Sequence, residues 1–199
     1  MNIFQHLTRK LAAASLARHI QNALAAGQSS KAVSYADALQ KLVPSGPQSN
    51  SLLAQTYVSA GMHQEALTPL TRVLEVWPDD AASWYALGVC HDYLDDPKAA
   101  VEAYHRTLTL APHWVIALKH LGRCAWRLGE VTLALKALHH YCHEVPDDRE
   151  AHDLLGYLAY QQGRLRDASS HYAKAARLAP HDAKLDRNAR LLYRRSATS

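Results

Sequence analysis

The stretch WYALGVCHDYLDDPKAAVEAYHRTLTLAP, Trp84 to Pro112, ends on a proline that belongs to a series. Pro44, Pro78, Pro112, Pro146 and Pro180 stand 34 residues apart. Reading back from each proline, Leu53, Leu87, Leu121 and Leu155 share one register, and each is followed at once by a small residue, Ala54, Gly88, Gly122 or Gly156. Ala66, Ala100, Ala134 and Ala168 keep the same period, as do Leu70, Tyr104, Leu138 and Tyr172. Self-similarity at a fixed period of this length marks stacked supersecondary units, none of which can bury its apolar face alone.

Composition points to helices. The chain has 199 residues, 48% hydrophobic and 20% charged, enough for a substantial core and ordinary for a globular protein. Ala and Leu dominate, alongside ten Tyr, four Trp and one Phe, and long Val/Ile/Thr alternations are absent, so an all-α fold is expected. Three cysteines, Cys90, Cys124 and Cys142, make no disulfide framework and favour a reducing, cytoplasmic setting. No run approaches the length of a membrane span. The opening MNIFQHLTRKLAAASLARH is basic, with no acid before Asp37. Its composition fits an organelle presequence, but Phe4, Leu7 and Leu11 on one face equally fit a basic first helix, the reading we adopt.

Trp84, Leu87, Gly88, Ala100, Tyr104 and Pro112 carry the decisive resemblance. They follow the pattern Trp-x2-Leu-Gly-x2-Tyr, Ala-x3-Phe, Pro, with His91 where Tyr is usual, and the chain therefore resembles the tetratricopeptide repeat (TPR) family. Four repeats are counted at 47–80, 81–114, 115–148 and 149–182. A degenerate one at 13–46, keeping Leu16, Gly27, Ala32 and Pro44, lies within an N-terminal cap of residues 1–46. A C-terminal capping helix and basic tail occupy 183–199. The resemblance implies a right-handed superhelical solenoid of antiparallel helix pairs. In each pair the small residue after Leu lets helix A approach helix B, and the proline stops helix B. The acids of PDD and PHD are placed to cap the next helix.

The stretch HHYCHEVP, His139 to Pro146, looks like a metal site. His139 and His143, four apart, share one face of a helix, but His140 points about 100° away and Cys142 leans into the packing. Two ligands make neither a structural nor a catalytic zinc site. We therefore read a solvated helix end and expect no metal and no cofactor. Cys90 and Cys124 occupy equivalent positions in adjacent repeats and read as core. No nucleophile elbow, glycine-rich phosphate loop or CxxC is present, and no enzymatic activity is expected.

In the resembled family helix A lines a concave face, and ligands touch its second, fifth, ninth, twelfth and thirteenth positions. The first full repeat then offers Gln48, Ser51, Gln55 and Ser59, and the second Tyr85, Val89, Asp92 and Tyr93. The third offers Ile116, Lys119, Arg123, Trp126 and Arg127, and the fourth Asp153, Tyr157, Tyr160 and Gln161. Tyr, Trp and Arg are the residue types that dominate binding hot spots. Ser51, Gln55 and Ala86 stand where the carboxylate clamp of chaperone-binding members needs Lys, Asn and Asn, so chaperone tails are not expected ligands.

Charge is uneven: residues 1–36 hold four Lys/Arg and no acid, and residues 183–199 hold five and one acid, within a net charge of +4. The basic ends carry no nucleic-acid fold or arginine tract, and specific nucleic-acid binding is not expected. The expectation is a non-enzymatic scaffold binding a protein or peptide partner, with Lys119, Arg123 and Arg127 favouring an acidic one. A second reading is a client chaperone, since ALGVCHDYL (86–94) and HLGRCAWRL (120–128) are similar to helix A stretches of the translocator chaperones of type III secretion.

Overall fold

The computed structural model describes residues 3–43 and 46–197, and Pro44 lies outside them. Among the described residues the chain is all-α: α1 (Ile3–Ala25), α2 (Ser29–Leu42), α3 (Pro47–Ser59), α4 (His63–Val76), α5 (Ala81–Tyr93), α6 (Pro97–Leu110), α7 (Val115–Arg127), α8 (Val131–Glu144), α9 (Arg149–Gln161), α10 (Leu165–Leu178) and α11 (Ala183–Ala197). They fall into two compact units, Met1–Ala111 and Pro112–Ser199. Each odd-numbered helix packs on the even-numbered one that follows it, and within a unit each pair packs on the next.

The helix pairs are drawn together where the sequence places its small residues. A Cβ on Gly88 would come within 2.7 Å of the Tyr104 ring, and one on Gly156 within 3.0 Å of the Tyr172 ring. Tyr104 is fully buried and Tyr172 nearly so. Ala66, Ala100, Ala134 and Ala168 are each 0% exposed, as small residues must be where two backbones meet closely.

Local chemistry sets the ends. Asp80, Asp96 and Asp148 accept from the backbone N–H groups of Ser83, Ala99 and Ala151, capping α5, α6 and α9. Asp182 accepts from the N–H of Lys184 at the start of α11. Trp114 takes the equivalent place before α7 and supplies no side-chain cap. Trp84 ties its own turn down: its indole N–H donates to the carbonyl of Pro78 at 2.8 Å. The turn inside each pair needs a left-handed residue, filled by Gly27, Gly61, Gly129 and Gly163, and by Asp95 at φ 61 in the second full repeat.

Candidate functional site

In the first unit Gln48, Ser51, Gln55 and Ser59 are exposed along α3, while on α5 Tyr85, Val89 and Asp92 are half-buried. Tyr85 leans on the buried Tyr104, ring centroids 5.9 Å apart. Tyr93 is 71% exposed and stacks on His63 at 4.2 Å and 12°.

In the second unit Lys119 sits 2.7 Å from Asp148 and 3.0 Å from Glu150, so its charge is already matched within the fold. Burial pushes its ammonium down, but the hydrogen bonds to the two carboxylates outweigh this and raise its pKa. Ile116 and Arg127 are exposed on α7. Arg123, Trp126, Asp153, Tyr157 and Tyr160 converge on a single cavity of about 840 Å³. The Trp126 and Tyr157 rings meet edge to face at 5.8 Å. These three aromatics are each about 40% exposed, a wall that is neither core nor fully solvated: Trp126 38%, Tyr157 39% and Tyr160 43%.

Sequence reasoning missed the remaining walls. Tyr172 reaches in from α10, and α11 adds Lys184, Leu185, Asn188, Leu191, Leu192 and Arg195. The signal was available, because Lys184, Leu191 and Arg195 are the second, ninth and thirteenth positions of one more helix A begun at Ala183. Cations Arg123, Arg149, Lys184 and Arg195 line the cavity with the acids Glu150, Asp153 and Asp182. Burial raises the pKa of Asp153 despite the opposing charges of Arg149 and Lys184. Burial, with the nearby Asp153, pushes the Tyr172 phenol up to about 12. An aromatic wall under a mixed, cation-rich rim can bury an apolar side chain and pair with a carboxylate beside it.

His139, His140 and His143 are exposed at the end of α8, as expected of a solvated helix end. His143 is solvated and hydrogen-bonds Glu144 at 2.9 Å, whereas the His139 ring lies 5.6 Å from that of His171 on α10. His152 Nε2 donates to the carbonyl of Pro146 at 2.9 Å, which leaves its Nδ1 to accept from Nδ1–H of His171 at 3.1 Å. Among the described residues no group of three or more His, Cys, Asp or Glu is placed to hold a metal ion. Burial lowers the pKa of both; that of His171 falls to about 4, helped by His152 and His139 and opposed by Asp167. A lowered histidine stabilises the fold fully above its unfolded value near 6.5, and that contribution is lost as pH falls toward about 4. The thermal midpoint should therefore drop between these values, and His171→Gln, which keeps a donor but does not titrate, should flatten the drop. An equally steep drop in the variant would place the acid sensitivity elsewhere.

Profiles of the tetratricopeptide repeat match residues 51–113, 91–148 and 149–182. The chain belongs to the tetratricopeptide repeat family. This TPR chain is 24% identical over 126 residues to a TPR repeat-containing protein of Methanocaldococcus jannaschii, covering 63% of the chain but 22% of that relative. Human protein O-mannosyl-transferase TMTC3 is 30% identical over 154 residues, 72% of this chain and 17% of its own length. The chain thus spans less than a quarter of the length of either relative. Among solved structures, MamA from Desulfovibrio magneticus superposes with a TM-score of 0.77 at 19% identity, covering 86% of this chain and 97% of MamA. YrrB, described as a TPR protein with an unusual peptide-binding site, gives 0.73 at 20% identity, covering 86% of this chain and 88% of YrrB. The likeness is one of fold.

Proposed function

We propose that this TPR chain is a non-enzymatic, cytoplasmic interaction module that holds a segment of an acidic protein partner against its A helices, anchored in the cavity of the second unit. The observation that carries this reading is the convergence of Trp126, Tyr157 and Tyr160 beneath Arg123, Arg149, Lys184 and Arg195. Aromatics supply area and cations supply orientation, the combination typical of anchoring pockets. Gln48, Ser51, Gln55, Tyr85, Val89, Asp92 and Tyr93 would form the partner-contacting face of the first unit, considered by itself. Lys119 and Arg127 would contribute field rather than direct contact. The cytoplasmic assignment rests on three free cysteines, of which Cys90 and Cys124 are buried. TPR repeats are generally scaffolds, and the titratable groups shifted furthest here lie in packing contacts rather than in a nucleophile–base arrangement.

The stretches shared with translocator chaperones lose weight as functional markers, because packing accounts for them. Gly88 and Gly122 admit the facing helices, and Cys90 and Cys124 are 0% exposed. The experiment is capture from native lysate by wild type and by Trp126→Ala/Tyr157→Ala/Tyr160→Ala, with circular dichroism establishing that both are folded. Partners with acidic binding segments should be retained by wild type and depleted at least about tenfold by the triple variant. Equal capture by both proteins removes the cavity from consideration. Retention of one aggregation-prone client alone would favour the chaperone reading.

A further inference from the structure

α1 is longer than the helices it resembles, with 23 residues where α3, α5, α7 and α9 have 13. Residues 4–12 are all exposed. One bond sets the rotation of this overhang: Arg9 Nε donates to the carbonyl of Leu42, the last residue of α2, at 2.6 Å. At about 100° per residue, Phe4, Leu7 and Leu11 then fall in one narrow sector on the side opposite Arg9. They are turned away from α2 and are 72%, 53% and 63% exposed. Arg18, also exposed, continues their line two turns on, Lys10 flanks it, and no Asp or Glu occurs in residues 1–36.

We propose that this ridge docks on an anionic membrane surface. The helix would lie in the headgroup plane with Phe4, Leu7 and Leu11 in the acyl boundary and Lys10 and Arg18 on lipid phosphates. Charge complementarity selects the occupant. A symmetric pairing with a second copy would bring two acid-free basic helices together, and α11, which also exposes Leu191 and Tyr193, is basic too. Shape separates a bilayer from an acidic protein. A lone helix with bare flanks presents a convex ridge, which a fluid interface accepts without a preformed groove. No described helix is long and apolar enough to cross a membrane, so the contact is peripheral. With three apolar anchors and two cations it is also weak and reversible.

The test is flotation of the full chain with vesicles of equal phosphatidylserine and phosphatidylcholine, against pure phosphatidylcholine. A basic residue at an anionic leaflet is worth about fivefold in partitioning, so binding to the mixed vesicles should be at least about tenfold stronger, and should weaken with salt. Leu7→Glu and Phe4→Glu alter only exposed positions and should each abolish flotation with the helical circular dichroism unchanged. Arg187→Gln/Arg194→Gln, on α11, should leave flotation intact. Absence of flotation, flotation insensitive to Leu7→Glu, or loss in the α11 variant alone would each overturn the proposal. Concentration-dependent self-association removed by Leu7→Glu, without flotation, would overturn it in favour of a second copy.

Discussion

Gly122→Val is expected to destabilise the second unit by about 3 kcal/mol, as overpacking at a closed helix crossing does. A Cβ at this position would sit 2.6 Å from Cγ of Leu138 and 3.3 Å from the carbonyl oxygen of Ala134. Leu138 is 1% exposed, and its Cγ lies too near its backbone to swing clear. The helix-propensity gain on replacing glycine, at most about 1 kcal/mol, is smaller than this clash and is reduced further by the branched side chain. Urea unfolding followed by circular dichroism measures the loss. Leu138→Ala opens the space, so the two substitutions together should cost at least about 1 kcal/mol less than their sum. Strict additivity, or a single-variant loss under about 0.5 kcal/mol, would show that close approach is not what requires glycine here.

Asp148→Ala is expected to cost a similar amount, about 3 kcal/mol, because one carboxylate serves three helices. It caps α9 through the N–H of Ala151 at 3.1 Å, accepts from the Tyr141 hydroxyl at 2.8 Å and holds Lys119 at 2.7 Å. Its side chain is only 16% exposed, so solvent replaces these partners poorly. Burial alone would push its carboxyl up. The hydrogen bonds from Lys119, Ala151 and Tyr141 outweigh that and hold it below the usual carboxylate range. Its contribution is therefore complete above the unfolded value near 4 and is lost only as pH falls through the lowered folded value. Asp148→Asn keeps the cap but not the charge and should lose about 1–2 kcal/mol. Equal losses for the Asn and Ala variants would assign the whole effect to the ion pair with Lys119. Loss of Lys119 itself, by Lys119→Met, should then reproduce it.

Much of this was legible in one dimension. Helices α3, α5, α7, α9 and α11 begin at Pro47, Ala81, Val115, Arg149 and Ala183, at the repeat's own spacing. The capping role of Asp80 and Asp148 followed from their place after the turn proline. The left-handed turn was not read, because Asp95 interrupts the series of Gly27, Gly61, Gly129 and Gly163 that carries it. The histidine stretch was legible as a solvated helix end, with His139, His140 and His143 exposed, but not the ring that His139 faces: His171 lies on another helix and bonds in turn to His152.

What the sequence determined by itself was the class of fold, the pairing of helices within each repeat and the residues that let each pair close. These contacts recur because the same side chains meet at the same register every 34 residues. Only the tertiary structure decided which surface residues would work together. It matched Lys119 to Asp148 and Glu150, and it gathered Trp126, Tyr157, Tyr160, Tyr172 and α11 around one cavity. It also used Arg9 to turn Phe4, Leu7 and Leu11 away from α2. The reason is physical: packing within a repeat is dictated by a repeating core, whereas contacts between non-repeating side chains depend on how successive helices are rotated, and no single period encodes that.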